Sequence, residues 1–443
     1  MKFPGRRKSK HYFPVSDRGR VSFEGVGVGA GDIIVGGAGK QVYIVGIDQL
    51  LVDIEARVEE SLLAEFGLIK GQSMLIDDET EDRVYALLKE RGLILGEFAG
   101  GTVGNTLHNY SVIADDQSYL LGAITSQIMV GDYAFHYVRN TSSRVDLSYL
   151  YPIAGPMGRA ICFITPDGER TFGVSRGIMN GFPEEAVPER LIAGASALVL
   201  TTYLMRDPRA PIFKAAMRAA HIAHEHEVPV VLSLGTAGLV HEKRGFLLDL
   251  IHGCRPAILA GNLDEVSALT GQEDPLLVGS AALEIADLIL LTRDRHGLYL
   301  CAWVDEPYAR ETKDPILSKA IPEYNRFEYS RAMARACCKK PKKIFSHINP
   351  YLGGPSVLRN TNGAGDSALA ALLHDLAANV HHRRVAPTSP KHVSQFLTYS
   401  SIHQVCKYAN RVSYEVLRRN SPRLVQGLPE REESLEEAAY WVS

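Results

Sequence analysis

The residues best suited to chemistry are Asn360-Thr361-Asn362-Gly363-Ala364-Gly365-Asp366, which run directly into SALAALLHDLAA (367–378). That second stretch has the composition and spacing of a helix. A turn of small residues opening into a helix lets backbone N–H groups approach an anion, and the helix N-terminus adds partial positive charge. An acid in the first turn has two uses, as a helix cap or as a base beside the bound anion; the full Gly-Ala-Gly-Asp spacing favours the base. A second constellation is Phe98-Ala99-Gly100-Gly101-Thr102-Val103-Gly104-Asn105, two glycines ahead of a helix with Asn105 in its first turn. Taken alone it is only a tight turn. A third is Gly46-Ile47-Asp48-Gln49-Leu50-Leu51-Val52-Asp53-Ile54. Its two acids lie just beyond an apolar strand, where open α/β sheets bind ligands.

Asn262 and Glu265 follow the strand PAILAG as Asn-x-x-Glu. In isolation this spacing is a helix capping box. Beside bound phosphates it suits Mg²⁺, which keeps several waters and needs few protein ligands. Two glycine-rich stretches are decoys. Gly25–Gly31 has the look of a dinucleotide fingerprint but lacks a strand before it and a helix after it, and Gly36–Lys40 lacks the glycine spacing of a P-loop.

The elements that must position these residues alternate. QVYIVGID (41–48), SYLLGAI (118–124), ALVLTTYL (197–204), VPVVLSL (228–234), PAILAG (256–261) and LILLTRD (288–294) read as buried strands. Helical spacing appears in DRVYALLKERG (82–92), NTLHNYSVIADD (105–116), IFKAAMRAAHIAHEHE (212–227) and LDEVSALTG (263–271). Strand–helix alternation calls for a mainly parallel sheet covered on both faces, a three-layer α/β/α sandwich. Residues 143–175 break the rhythm with strand-like alternation and turns at Gly155-Pro156 and Asp167-Gly168, and suggest a small antiparallel flap. The organisation expected is a flexible leader at 1–40 and one domain at 41–420. Lid strands are expected within about 50–60, 93–100 and 140–175, a polar insertion at about 303–350, and a charged surface tail at 421–443. His381 and His382 read as solvated loop residues.

The 443 residues are 46% hydrophobic, enough for a large core, and the net charge of −3 gives no reason to expect nucleic acid or an anionic membrane. No apolar stretch approaches the ~20 residues that span a bilayer. Six cysteines without C-x-x-C spacing point to a reducing, cytoplasmic setting.

The 360–366 segment closely resembles the D-T-x-G-A-G-D signature of the ribokinase (PfkB) family, and Gly100, Gly101 and Asn105 resemble its G-G-x-x-x-N signature. The resemblance implies a ribokinase-like fold with a β-flap lid and ATP·Mg²⁺-dependent phosphorylation of a sugar or nucleoside hydroxyl. Asp366 would be the catalytic base, and the backbone of Gly363, Ala364 and Gly365 the anion hole. Gly100, Gly101 and Asn105 would grip ribose together with an acid, for which Asp53 matches best and Asp48 competes. Asn262 and Glu265 would organise Mg²⁺ through water. Thr292 and Gly297, in a turn where Asp294 replaces a family glycine, would contact the nucleotide with Asn360, Thr361, Asn362 and Asn410. Asn360 stands where the signature has Asp, which leaves K⁺ activation open. Arg170 and Arg144 are candidates for steadying phosphates or closing the lid.

KFPGRRKSKHYFPV, NTSSRVDL (140–147) and CKYANRVSYEVL…SPRLVQGLPEREESLEE further resemble the branch of the family that phosphorylates the 5′-hydroxyl of inosine and guanosine in purine salvage. The alternatives are an adenosine or sugar kinase of the same fold, or a non-catalytic nucleoside-binding protein. The expected partners are the nucleoside and ATP alone, with the chain a monomer or homodimer.

Overall fold

The computed structural model describes residues 42–313 and 321–428. The expected leader lies outside them, as do residues 429–443 of the expected tail.

The chain begins with strand β1 (Tyr43–Ile47), whose Ile44, Val45 and Ile47 are fully buried, as a strand covered on both faces requires. It then leaves for a second, smaller sheet: β2 (Leu51–Arg57), helix α1 (Glu60–Glu65), β3 (Ser73–Leu75), helix α2 (Asp78–Glu90) and β4 (Ile94–Ala99). Helix α3 (Thr102–Ala114) and β5 (Gln117–Thr125) return it to the main sheet. There α4 (Tyr133–Arg139) and the short strands β6 (Val145–Asp146) and β7 (Leu150–Ile153) follow. A hairpin of β8 (Gly158–Ile164) and β9 (Arg170–Ser175) completes the small sheet.

From β10 (Ala197–Thr201) the alternation is regular: α5 (Pro211–Glu225), β11 (Val230–Ser233), β12 (Ile258–Asn262), α6 (Leu263–Thr270), β13 (Leu288–Thr292), β14 (Leu298–Asp305) and β15 (Pro341–Ile348). Two long helices close the chain, α7 (Ala364–Val385) and α8 (Ile402–Leu417); the remaining helices are left unnumbered.

The main sheet has ten strands in the order β15-β14-β13-β12-β11-β10-β1-β5-β6, with β7 also paired to β5. Every pairing from β13 to β6 is parallel, and β14 runs antiparallel to both its neighbours. From β1 the chain moves first to β5 on one side and later to β10 on the other. The crevice beyond β1 and β10 is therefore the switch point at which sheets of this kind bind ligands. The small sheet, β3-β9-β8-β2-β4, is the lid. Its Val52, Ile54, Ala56, Ile161 and Phe163 pack with Leu62, Leu63, Val84 and Leu88 of α1 and α2, so its other face is left for the cleft. Helix α7 is buried on almost every side from Ser367 to Asn379, which explains its apolar circumference: it lies between α3 and α8. Among the described residues no helix is long and apolar enough to cross a membrane.

Four expectations change. Residues 303–350 are not an insertion throughout, because Trp303–Asp305 finish β14 and Pro341–Ile348 are paired along their whole length as β15. The lysines of PKKIFSHI disguise an edge strand; charged side chains are a common guard on such edges. Residues 145–153 extend the main sheet rather than the lid, pairing in parallel with β5. Helix α7 continues through His381, which is buried, and His382, whose Nδ1 hydrogen-bonds with Nε2 of His392 (2.6 Å). Finally, the part of the tail that is described is no surface segment: Arg423, Leu424 and Leu428 are buried.

Candidate active site

The floor of the cleft is the N-terminus of α7. Gly363 caps it with a left-handed backbone (φ +76°), and a side chain there would run into Pro422. The N–H groups of Gly365 and Asp366 belong to the first turn and have no acceptor among the described residues, as helix geometry dictates. They are open to an anion. The Asp366 carboxylate accepts a hydrogen bond from Nδ2 of Asn105 (3.2 Å), on the first turn of α3. Oδ1 of Asn105 in turn accepts one from Nε of Arg423 (2.9 Å).

Two further carboxylates face the same space. Asp48 accepts from its neighbour Gln49 N–H (2.9 Å) and from Gly104 N–H (2.7 Å) at the start of α3, so both of its oxygens hold backbone. Gly101 sits against it with φ +92° and has no room for a side chain. Asp53, on β2, lies against Gly100 and accepts no hydrogen bond among the described residues. Burial is the chief cause that pushes Asp48, Asp53 and Asp366 each up to about 7. Glu55 adds to the effect on Asp53, and the two neighbouring aspartates add to it on Asp366; the Arg423 charge opposes it in all three. The sequence left Asp48 and Asp53 as competitors. The structure separates them by hydrogen bonding, since Asp48 is already satisfied and Asp53 retains its acceptors.

The lid is tied to the 360–366 loop. Nη1 of Arg170 on β9 donates to Oδ1 of Asn362 (2.6 Å), and Nδ2 of Asn362 donates to Glu55 on β2 (2.8 Å). Asn360 is buried, accepts from Asn362 N–H (2.8 Å) and donates through Nδ2 to the carbonyl of Asn420 (2.8 Å). A carboxylate could not make that donation, which gives the amide at 360 a structural reason. Thr361 is exposed beside this network. Arg144 is not part of it, forming an exposed ion pair with Asp115 (2.7 Å).

Thr292 ends β13, and the turn through Asp294 to Gly297 leads into β14 on the far side of the cleft. Asn410 directs its amide at the backbone of Asn349 and Tyr351, holding that loop against α8. Asn262 and Glu265 form a complete capping box (2.9 Å for each bond), with the Asn262 amide also donating to Glu265. Burial first, then the charges of Asp366 and Asp264, push the Glu265 carboxyl up to about 8. A carboxyl raised in this way suits a divalent cation nearby. Asn262 already occupies both Glu265 oxygens, so a hydrated ion fits better than a directly ligated one. Among the described residues no three His, Cys, Asp or Glu side chains gather as a metal cage.

The comparisons agree with this geometry. Over the full length of both chains the sequence is 50% identical, across 446 aligned residues, to "Guanosine-inosine kinase" of Escherichia coli K12. The chain belongs to the ribokinase (PfkB) family. No protein-family model matches the sequence, so the assignment rests on such relatives. Among solved structures, a probable sugar kinase from Rhizobium etli CFN 42 superposes with a TM-score of 0.66 at 20% identity, covering 90% of this chain and 99% of its own. Adenosine kinase from Sinorhizobium meliloti gives 0.65 at 21%, covering 91% and 100%. Both show the ribokinase fold.

Sequence reasoning missed two features of this ribokinase-family site. One is Arg423, hidden in a segment that reads as a polar tail. Its signal was the apolar pair Leu424 and Leu428 ahead of the acidic run that follows Pro429. The other is a depression at the switch point, lined by Gln49, Arg176, Asn180, Tyr203 and Arg206. There Gln49 donates to Asn180, and the Arg206 guanidinium stands 5.5 Å from the Tyr203 ring centre.

Proposed function

We propose that this protein transfers the γ-phosphoryl group of ATP to the 5′-hydroxyl of inosine and guanosine. The observation that carries the reading is the 50% identity along the whole of both chains to a guanosine-inosine kinase, with Asp366 set at the open N-terminus of α7. Asp366 accepts the proton of the 5′-hydroxyl as the new O–P bond forms and the bond to the β-phosphate oxygen of ATP breaks, releasing ADP. The N–H groups of Gly365 and Asp366 meet the charge that spreads over the transferring group, so catalysis is positioning plus electrostatics. Asn262 and Glu265 would hold Mg²⁺ through water, and the ion would neutralise charge on the phosphates.

Asp53 has the unpaired acceptors that ribose hydroxyls need, and Gly100, Gly101 and Asn105 border the same space. Thr292 and Gly297 lie toward the nucleotide, and Asn410 acts there by holding the 349–351 loop. The Arg170–Asn362–Glu55 link supports a lid that closes over the loop and excludes water.

The base belongs in the depression beside Gln49. Arginines offer only donors, which suit the O6 and N7 acceptors of guanine and hypoxanthine and oppose the 6-amino group of adenine. ATP-dependent phosphorylation of inosine, guanosine, adenosine, cytidine and ribose tests the reading. The two 6-oxopurine nucleosides should exceed adenosine in kcat/KM by at least about tenfold, the scale expected when a site leaves polar groups unpaired. Equal turnover of adenosine would reject the assignment.

A further inference from the structure

Arg423 presents an electrostatic problem. Its side chain is only 5% exposed, and a buried charge is costly unless it is paired. Yet its hydrogen bonds all go to neutral acceptors: Nε to Asn105 Oδ1 (2.9 Å), Nη1 to Thr141 Oγ1 (2.8 Å) and the Asn140 carbonyl (3.5 Å), Nη2 to the Gly100 carbonyl (3.5 Å) and Tyr137 Oη (3.4 Å). Its guanidinium also lies 5.0 Å from the centre of the Tyr137 ring. Among the described residues no carboxylate forms a hydrogen bond or ion pair with it. The compensation comes through space, from Asp48, Asp53 and Asp366.

The segment that delivers it is fastened at both ends. The Asn420 carbonyl accepts from Asn360, and Pro422 packs on Gly363, both in the anion loop. On α3, Asn109 accepts from Leu424 N–H (2.8 Å) and donates to the Pro422 carbonyl (3.1 Å), and His108 bonds the Leu424 carbonyl (2.8 Å). Residues 420–424 are a strap that joins the two helix N-termini of the cleft.

We infer that Arg423 is a positioning residue for phosphoryl transfer, orienting the Asn105 amide toward Asp366 and supplying the positive charge around which the acids of the cleft are arranged. The orientation follows from donor arithmetic. A guanidinium has no acceptor, so Asn105 must turn its oxygen to Arg423 and its NH₂ group to Asp366. Glutamine at 423 could donate or accept, and Asn105 would then be free to turn over. The inference rests on the kinase reading above, in which Asp366 must face the hydroxyl.

The test compares wild type, Arg423→Gln and Arg423→Lys, each with kcat and KM for inosine and for ATP from pH 5.5 to 9, and Tm. For Arg423→Gln, kcat should fall by about 30-fold or more, the lower part of the range for a displaced general base, with KM for ATP within threefold. The groups facing Arg423 are Asp48 after β1, Asp53 on β2, His108 on α3, Tyr137 on α4 and Asp366 on α7. Losing the positive charge disfavours their anionic forms, so the acid limb of kcat/KM should move up by about one pH unit or more. A merely structural arginine would leave that limb in place. Lysine, also donor-only and charged, should restore kcat at least threefold over glutamine and return the limb toward wild type. If Arg423→Gln does not fold, the lysine variant decides, since its limb should stay within half a pH unit of wild type.

A glutamine variant within threefold of wild type, an unmoved limb, or lysine no better than glutamine would each overturn the inference. Wild-type turnover in the same assay separates the two readings. No phosphorylation by wild type rejects the kinase, whereas equal activity of wild type and Arg423→Gln rejects only the role of Arg423.

Discussion

On the acceptor side of the cleft, buried Asp48 and half-buried Asp53 and Asp366 surround one arginine, and Asp53 has no hydrogen-bond donor among the described residues. On the nucleotide side the polar groups are satisfied: Asn410 bonds backbone at both ends of its amide, and Asn262 and Glu265 complete one another. A carboxylate partly withdrawn from water and left without a donor marks a site that waits for a ligand. On the proposed reading, the proton chemistry and the ribose recognition fall on the acceptor side. The nucleotide side is built from backbone and from loops held rigid by amides, suiting a ligand that brings its own charge and metal.

Substitutions should therefore divide by side. The largest expected effect is that of Asp366→Asn, which keeps shape and capping capacity but cannot take the hydroxyl proton. kcat should fall by about 10²–10⁴, with ATP affinity within a few-fold by titration; more than a tenth of wild-type activity would reduce Asp366 to a helix cap. Asp53→Ala should act next most strongly. A 2′-deoxynucleoside leaves one Asp53 oxygen short of a partner in a closed site, at a cost of about 1–3 kcal/mol, or roughly ten- to more than a hundred-fold in kcat/KM. Wild type should show that preference for inosine over 2′-deoxyinosine, and Asp53→Ala should erase most of it. A preference that survives would move the ribose contact to Asp48 and weaken the contrast between a satisfied and an unsatisfied acid.

The same contrast explains what was legible in the sequence. Residues 360–366 and 100–105 announce themselves because their chemistry lies in local spacing, glycines ahead of a helix and a polar side chain in its first turn. The core strands read correctly because burial on both faces leaves a continuous apolar run, as in Ile44–Ile47. The resemblance put Asp53 ahead of Asp48, but the physical difference between them was not legible, since it is a bond to Gly104, 56 residues from Asp48. Arg423 was further out of reach: its partner Asn105 is 318 residues away, and the strap is polar on its outside. β15 was hidden for a local reason, because Lys342 and Lys343 belong to an edge strand, where Lys343 reaches Glu284 (2.7 Å) and the Trp303 ring.

The smallest expected effect is on stability, and it should have opposite signs on the two sides. Asp53 has a folded-state value near 7 against an ordinary value of 3.8, so the folded protein holds its proton more tightly than the unfolded chain. Its carboxylate therefore costs nothing below pH 4, costs progressively more as pH rises toward 7, and costs a constant amount above. Asp53→Asn should match wild type in Tm at the acid end and exceed it at pH 8. An underpaired buried charge is worth about 1–3 kcal/mol, and for a chain of this length that corresponds to roughly 1–4 °C. Asn410→Ala removes satisfied bonds instead and should lower Tm by a similar amount with no dependence on pH, since an amide does not titrate. Melting both variants from pH 4 to 8 reads the two signs directly. If Asp53→Asn is less stable than wild type at pH 8, then Asp53 is paired in solution, and the acceptor side is as fully satisfied as the nucleotide side.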